Sequence, residues 1–147
     1  MPRTIRTRFF YPVGAERLWA LATSYDGLSR VTEGIVAFEG LPDGRTRTGQ
    51  SIDVDVSLFG KLPKQAYHMD VLECDDAEMI LRSVEKGAGV KSWRHTLSIT
   101  PYEGGSVLTD TIEIEAGLLT PLFAAWARYL YNARHQPRLR LLESGAF

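Results

Sequence analysis

From residue 35 to residue 116 the chain is an almost continuous series of segments in which apolar and polar residues alternate. Each segment is cut from the next by Gly, Pro or Asp, and the series ends in one long amphipathic stretch. Alternation is the period of a strand with one buried and one wet face. It is clearest over residues 48–59, where Ile52, Val54, Val56 and Leu58 alternate with Asp53, Asp55 and Ser57. A short strand at 35–39 and the turn cluster Gly40-Leu41-Pro42-Asp43-Gly44 precede it. Residues 64–73 follow, with Tyr67, Met69 and Val71 opposite His68 and Asp70. Residues 78–85 read as a strand of ambiguous parity. Gly87-Ala88-Gly89 separates it from 90–100, and Gly104-Gly105 turns that strand into 106–116 as a hairpin.

An antiparallel sheet with one apolar face needs a cover. The C-terminal stretch is the only element long enough to supply it. Thr120 is placed to cap a helix whose first position is Pro121, where the missing N–H is harmless. Leu122, Phe123, Trp126, Ala127 and Leu130 form its apolar stripe, and Leu139, Leu141 and Leu142 extend it. Pro137 inside this pattern predicts a kink or break near residues 133–135. Ahead of the sheet, residues 3–11 alternate as a first strand stopped by Pro12 and Gly14. Residues 15–23 read as a short helix, and 28–31 allow a second helical turn. One or two short helices between a first strand and about six further strands, closed by a long helix, make an α+β fold.

Composition sets the outer limits. The chain has 147 residues, 44% of them hydrophobic and 24% charged, and no linker, repeat or low-complexity stretch divides it. It is therefore expected to be a single soluble domain spanning 1–147, and folding at this size hides roughly 68–70% of the unfolded surface. Seventeen Lys and Arg against eighteen Asp and Glu leave a formal charge of −1. That balance argues against a nucleic-acid partner, which selects a basic stripe. The single Cys74 excludes an internal disulfide and is compatible with a cytoplasmic location. No apolar run approaches a membrane span, so no integral membrane association is expected.

Parity then places the polar residues that matter. On the strand 90–100, Trp93, His95, Leu97 and Ile99 share one face, and on 106–116 Leu108, Asp110, Ile112 and Ile114 share one. His95 and Asp110 therefore point inward among apolar neighbours. If Glu103-Gly104 is the hairpin loop, His95 opposes Ile112 and Asp110 opposes Leu97, which makes His95 and Asp110 diagonal neighbours about 7–8 Å apart at Cα. If Gly104-Gly105 is the loop, Asp110 opposes Ile99 and the pair is too far apart to touch. The sequence leaves both registers open.

An inward carboxylate needs a partner or a shifted pKa. His95 and Arg134 are the candidates, and a structural network is the commoner use of such a pair. The aromatic set Phe9, Tyr11, Tyr67, Trp93 and Trp126 is more often core than platform. Arg128, Arg134, His135, Arg138 and Arg140 read as charges favourable to a helix C-terminus. His68 and His135 lack partners at metal-ligand spacing, the glycine turns match no phosphate motif, and no nucleophile context is present, so neither a metal nor a cofactor is expected.

In combination, several segments resemble one family. They are Ala15-Glu16-Arg17-Leu18-Trp19 after the first strand, Trp93-Arg94-His95-Thr96, Gly104-Gly105 followed by Leu108-Thr109-Asp110-Thr111-Ile112, and Tyr129-Leu130-Tyr131-Asn132-Ala133-Arg134-His135. The chain resembles, over nearly its whole length, the SRPBCC superfamily of START, polyketide cyclase/dehydrase and birch-pollen-allergen-like proteins, most closely its small bacterial ligand-binding members. The resemblance implies a helix-grip fold, a seven-stranded antiparallel sheet around a long C-terminal helix with two short helices after the first strand. It also implies a deep, largely apolar cavity that takes a lipid, sterol, quinone, polyketide or hormone-like molecule. The positions that carry over are Trp93, His95, Asp110 and Arg134.

Two functions follow as expectations. In the first, the protein binds a small hydrophobic molecule against Val54, Val56, Tyr67, Met69, Leu97 and Ile112 from the sheet and Trp126 and Leu130 from the helix. Trp93, His95, Asp110 and Arg134 then supply the remaining contacts. In the second, a cyclase, dehydratase or isomerase uses His95 as general base, Asp110 as its orienter and Arg134 to stabilise an enolate oxygen. A third class is an interaction module whose cavity is filled by its own side chains. A homodimer through an exposed sheet or helix face is left open.

Overall fold

The computed structural model describes residues 2–147. Its elements run β1 (Arg3–Tyr11), α1 (Ala15–Ala22), α2 (Tyr25–Val31), β2 (Val36–Glu39), β3 (Ser51–Leu58), β4 (Gln65–Asp75), β5 (Ile80–Gly87), β6 (Val90–Tyr102), β7 (Gly105–Glu115), α3 (Thr120–Ala133) and α4 (His135–Glu143). The seven strands form one sheet in the order β1-β7-β6-β5-β4-β3-β2, with every pairing antiparallel. Strands β2 to β7 follow one another as a meander. The α1–α2 segment carries the chain from β1 at one edge to β2 at the other. The expected helix-grip α+β architecture is present, a curled sheet closed by the C-terminal helices.

Helix α1 packs on β6 and β7, and α3 on β1 and β7. Covering helices therefore sit directly on the β1-β7-β6 side of the sheet. Leu108, Ile112 and Ile114 of β7 are wholly buried there. Burying a side chain of this size contributes about 1.5–3 kcal/mol. Arg17 of α1 ties down the end of the chain by donating to the carbonyls of Leu142 at 2.7 Å and Phe147 at 2.6 Å.

The long helix breaks where Pro137 predicts. Residue Arg134 stands between α3 and α4, and Pro137 lies in the first turn of α4, where its missing N–H costs least. Thr120 does not cap α3. Leu119 occupies the cap position, and the Thr120 hydroxyl instead accepts from the Ala116 N–H at 3.0 Å and donates to the Gly117 carbonyl at 2.7 Å, tying the helix to the 3₁₀ turn Gly117–Leu119. The second helix is also a full turn longer than its apolar residues suggest. Ser24 starts it by accepting from the Gly27 N–H at 3.0 Å.

Candidate functional site

The hairpin register is the first determinant of the site. Tyr102 pairs with Gly105 across a Glu103-Gly104 loop, so His95 opposes Ile112 and Leu97 opposes Asp110. This is the register that makes His95 and Asp110 diagonal neighbours, and the two side chains meet. His95 Nε2 and Asp110 Oδ1 are 2.6 Å apart, with His95 8% and Asp110 1% exposed. Burial alone would raise the Asp110 carboxyl. The His95 hydrogen bond and charge, with the Arg138 and Arg134 guanidiniums behind them, hold it below the usual carboxylate range instead.

A cavity of about 490 Å³ lies between the inner face of β2–β6 and the helices α2 and α3. The roof is therefore shared: Tyr25, Leu28 and Val31 of α2 line it together with Phe123, Trp126 and Leu130 of α3. At one end the 3₁₀ turn and the start of α3 expose Leu118, Leu119 and Leu122, and Phe59 of the β3–β4 loop sets its ring edge against Trp126 at a centroid distance of 5.7 Å. The β5–β6 turn closes tightly on the same helix. A side chain at Gly89, whose φ is +92°, would meet the Phe123 ring at 3.0 Å.

Of the residues expected at a site, Val56, Tyr67, Met69, Trp93, His95, Leu97, Trp126, Leu130 and Arg134 border the cavity. Val54, Asp110 and Ile112 do not, although each points inward. Ile112 and Asp110 sit on β7, beneath the helices that pack directly on that strand, and are 0% and 1% exposed. Val54 is buried, and a side chain added at Gly40 would come within 4.0 Å of it. Inward parity thus does not by itself give contact with the cavity: on β7 the helices cover the inward side chains.

Two charged wall residues escape the sequence reading. The first is Glu85. Its strand has ambiguous parity, but pairing places Glu85 opposite Trp93 and Met69, Ser83 opposite His95 and Val71, and Leu81 opposite Leu97. Directly opposed residues share a face, so Leu81, Ser83 and Glu85 all line the cavity. Glu85 accepts from the Tyr67 hydroxyl at 2.8 Å and the Ser83 hydroxyl at 2.9 Å. Burial and the Glu85 carboxylate hold the Tyr67 phenol well above its ordinary value, so it stays a donor.

The second is Arg138, which the charge pattern assigns to a solvated helix end. It is 4% exposed and lines the cavity. Its Nη1 donates to the Tyr11 hydroxyl at 3.1 Å, and the same hydroxyl lies 2.9 Å from His135 Nδ1. A signal was available: Arg138 follows Arg134 and precedes buried Leu142 at helical spacing of four, in line with Ala127, Leu130 and Tyr131. The His135 ring stacks on Phe9 at 4.3 Å, and burial, then the Arg138 charge, keeps it below the usual histidine value.

Arg134 lies over the Tyr131 ring at 4.4 Å from its centroid. Its guanidinium makes no hydrogen bond and no ion pair among the described residues, and its Nε is buried. The wall thus carries two guanidiniums and one carboxylate, the latter already held by two hydroxyls. No cluster of His, Cys, Asp and Glu among the described residues is arranged to hold a metal, and no helix is long and apolar enough to cross a membrane.

The sequence matches no protein-family model and no curated protein, so its likeness to known proteins is one of fold. A protein from Chromobacterium violaceum superposes with a TM-score of 0.74 at 19% identity, over 95% of this chain and 96% of that one. A START superfamily protein from Mycobacterium smegmatis does so at 0.72 and 12% identity, over 96% and 97%. Ara h 8.0201 gives 0.69 at 12%, over 95% and 99%. This chain shares its fold with these proteins, a START superfamily protein among them.

Proposed function

We propose that residues 1–147 act as one ligand-binding domain that takes up a small, largely apolar molecule, such as a lipid, quinone or polyketide, between the sheet and helices α2 and α3. The observation that carries this reading is the cavity itself. Its volume of about 490 Å³ falls inside the range of about 300–1,000 Å³ typical of small-molecule sites. Its wall is mainly aliphatic and aromatic, with few polar groups, which is how such sites combine affinity with orientation. A START superfamily protein with the same fold supports it.

The test uses the neutral dye N-phenyl-1-naphthylamine, whose fluorescence rises in apolar surroundings. The protein should give saturable enhancement, and Ser83→Phe, which fills the cavity from the middle of β5, should abolish it with the circular dichroism unchanged. An absence of saturable binding by the parent protein, or full binding by Ser83→Phe, would overturn the reading. Native mass spectrometry followed by solvent extraction then identifies any retained molecule.

One observation favours acid/base chemistry as a second reading. His95 borders the cavity while its Nε2 is held by Asp110, so the other ring nitrogen remains for a bound molecule. Asp110 orients the ring without touching a ligand. In heavy water, 2-tetralone incubated with the protein should exchange its acidic C–H hydrogens faster than in buffer, and His95→Gln should remove the difference. Exchange at the buffer rate would eliminate this reading and leave binding intact.

A further inference from the structure

Four buried side-chain polar atoms lack a hydrogen-bond partner among the described residues: Thr7 Oγ1, Trp93 Nε1, Arg134 Nε and Arg138 Nε. Two of the four are guanidinium Nε donors, of Arg134 and Arg138, and both residues border the cavity, whereas Trp93 Nε1 faces the Tyr131 hydroxyl. Unpaired buried donors are rare in folded proteins because each forfeits its hydration. Here the two guanidiniums belong to residues that border one space.

The charges repeat the pattern. The Arg138 N–H donates to the Arg134 carbonyl at 3.1 Å, a spacing of four that sets the two side chains on the same face. Neither guanidinium has a carboxylate within ion-pair distance among the described residues, and the one carboxylate on the wall is engaged by Tyr67 and Ser83. A buried cation without a counter-ion is costly. Asp110 relieves part of that cost through space, but its oxygen is committed to His95.

We infer that the ligand of this cavity is an amphiphile carrying an anionic oxygen group, a carboxylate or an acidic enol, and that Arg134 and Arg138 receive that group while the apolar body lies toward Leu122 and Trp126. Guanidinium is suited to this task because its planar fork matches a carboxylate and it stays charged when desolvated. The inference rests on the binding function proposed above and adds the chemistry of the head group. A neutral sterol or hydrocarbon would bring no acceptor charge to the unpaired donors.

The experiment compares dodecanoic acid with 1-dodecanol as displacers of N-phenyl-1-naphthylamine at pH 8, where the acid is ionised. The parent protein should favour the acid by about tenfold or more. Arg134→Gln should bring the ratio of acid to alcohol affinity close to one, and Arg134→Lys, which keeps the charge, should recover part of the preference. Arg134 is only partly buried and makes no hydrogen bond; its contact with the Tyr131 ring is lost in Arg134→Gln, and Arg134→Lys, which keeps a cation there, separates that loss from the loss of the head-group partner. Equal displacement by acid and alcohol in the parent protein, or an undiminished preference in Arg134→Gln, overturns the anionic-head inference while the apolar cavity stands. Dye binding with no displacement by either compound overturns it as well. A failure of the dye itself to bind overturns the parent reading and this one together.

Discussion

On β7, Leu108, Asp110, Ile112 and Ile114 lie under the helices and are at most 1% exposed, whereas the residues of the same inner face on β3, β4 and β5, among them Val56, Met69, Leu81 and Ser83, border the cavity. Both regions obey one alternation and belong to one continuous sheet. What separates them is the distance of the covering helices. Helices α1 and α3 both rest on β7, so its inner face becomes core, while β6, which α1 also touches, still turns Trp93, His95 and Leu97 to the cavity. Over β3 to β5 the curled sheet stands away from α2 and α3. Polar groups divide in the same manner. The His95–Asp110 bond joins the two regions, with Asp110 sealed on the packed side and His95 reaching the cavity.

The sharpest way to break this contrast is at the seam. Asp110→Ala leaves His95 without its partner in a buried setting and should lower unfolding stability by about 3–5 kcal/mol, read from urea denaturation. Because Asp110 lies off the cavity wall, dye affinity of the folded variant should change little. The acid dependence follows from the same bond. The folded carboxyl titrates below its unfolded value of about 3.9, so the stabilisation is complete above that pH and is lost as pH falls through the lower folded value. Asp110→Asn should therefore flatten the parent protein's stability curve between about pH 5 and pH 2. A parallel curve would place the acid sensitivity elsewhere.

A matched pair of truncations sharpens the contrast further. Leu108→Ala on the packed side should cost about 3–5 kcal/mol, because the surrounding helices and strands cannot fill the space. Leu81→Ala on the cavity side removes the same atoms from a wall with fewer neighbours, and should cost at least about 1 kcal/mol less. Equal losses in the two variants would mean that the cavity side is packed as tightly as β7.

Much of this arrangement was legible along the chain. The period of two put Tyr67, Met69, Trp93, His95 and Leu97 on the inner face, and the period of 3.6 with Pro137 broke the terminal helix near Arg134. Glu85 was not legible, because the register of β5 against β4 and β6 is set by pairing partners and by bulges at Val71/Glu73 and Glu85/Gly87. Arg138 is hidden for a different reason. Its helical spacing puts it on the buried stripe, but a charge at a helix end marks a solvent-facing residue, and only the fold brings Tyr11 to receive it.

The sequence by itself determined the facing of each side chain, since pleat and helix period are properties of the local backbone. Only the tertiary structure decided what each inward side chain meets. It chose between the two hairpin registers and set Asp110 against His95. It withdrew Val54, Asp110 and Ile112 from the cavity and turned Arg138 toward it. The physical reason is that the gap between sheet and helix depends on sheet curvature and on contacts between segments far apart in the chain, and no local period records either.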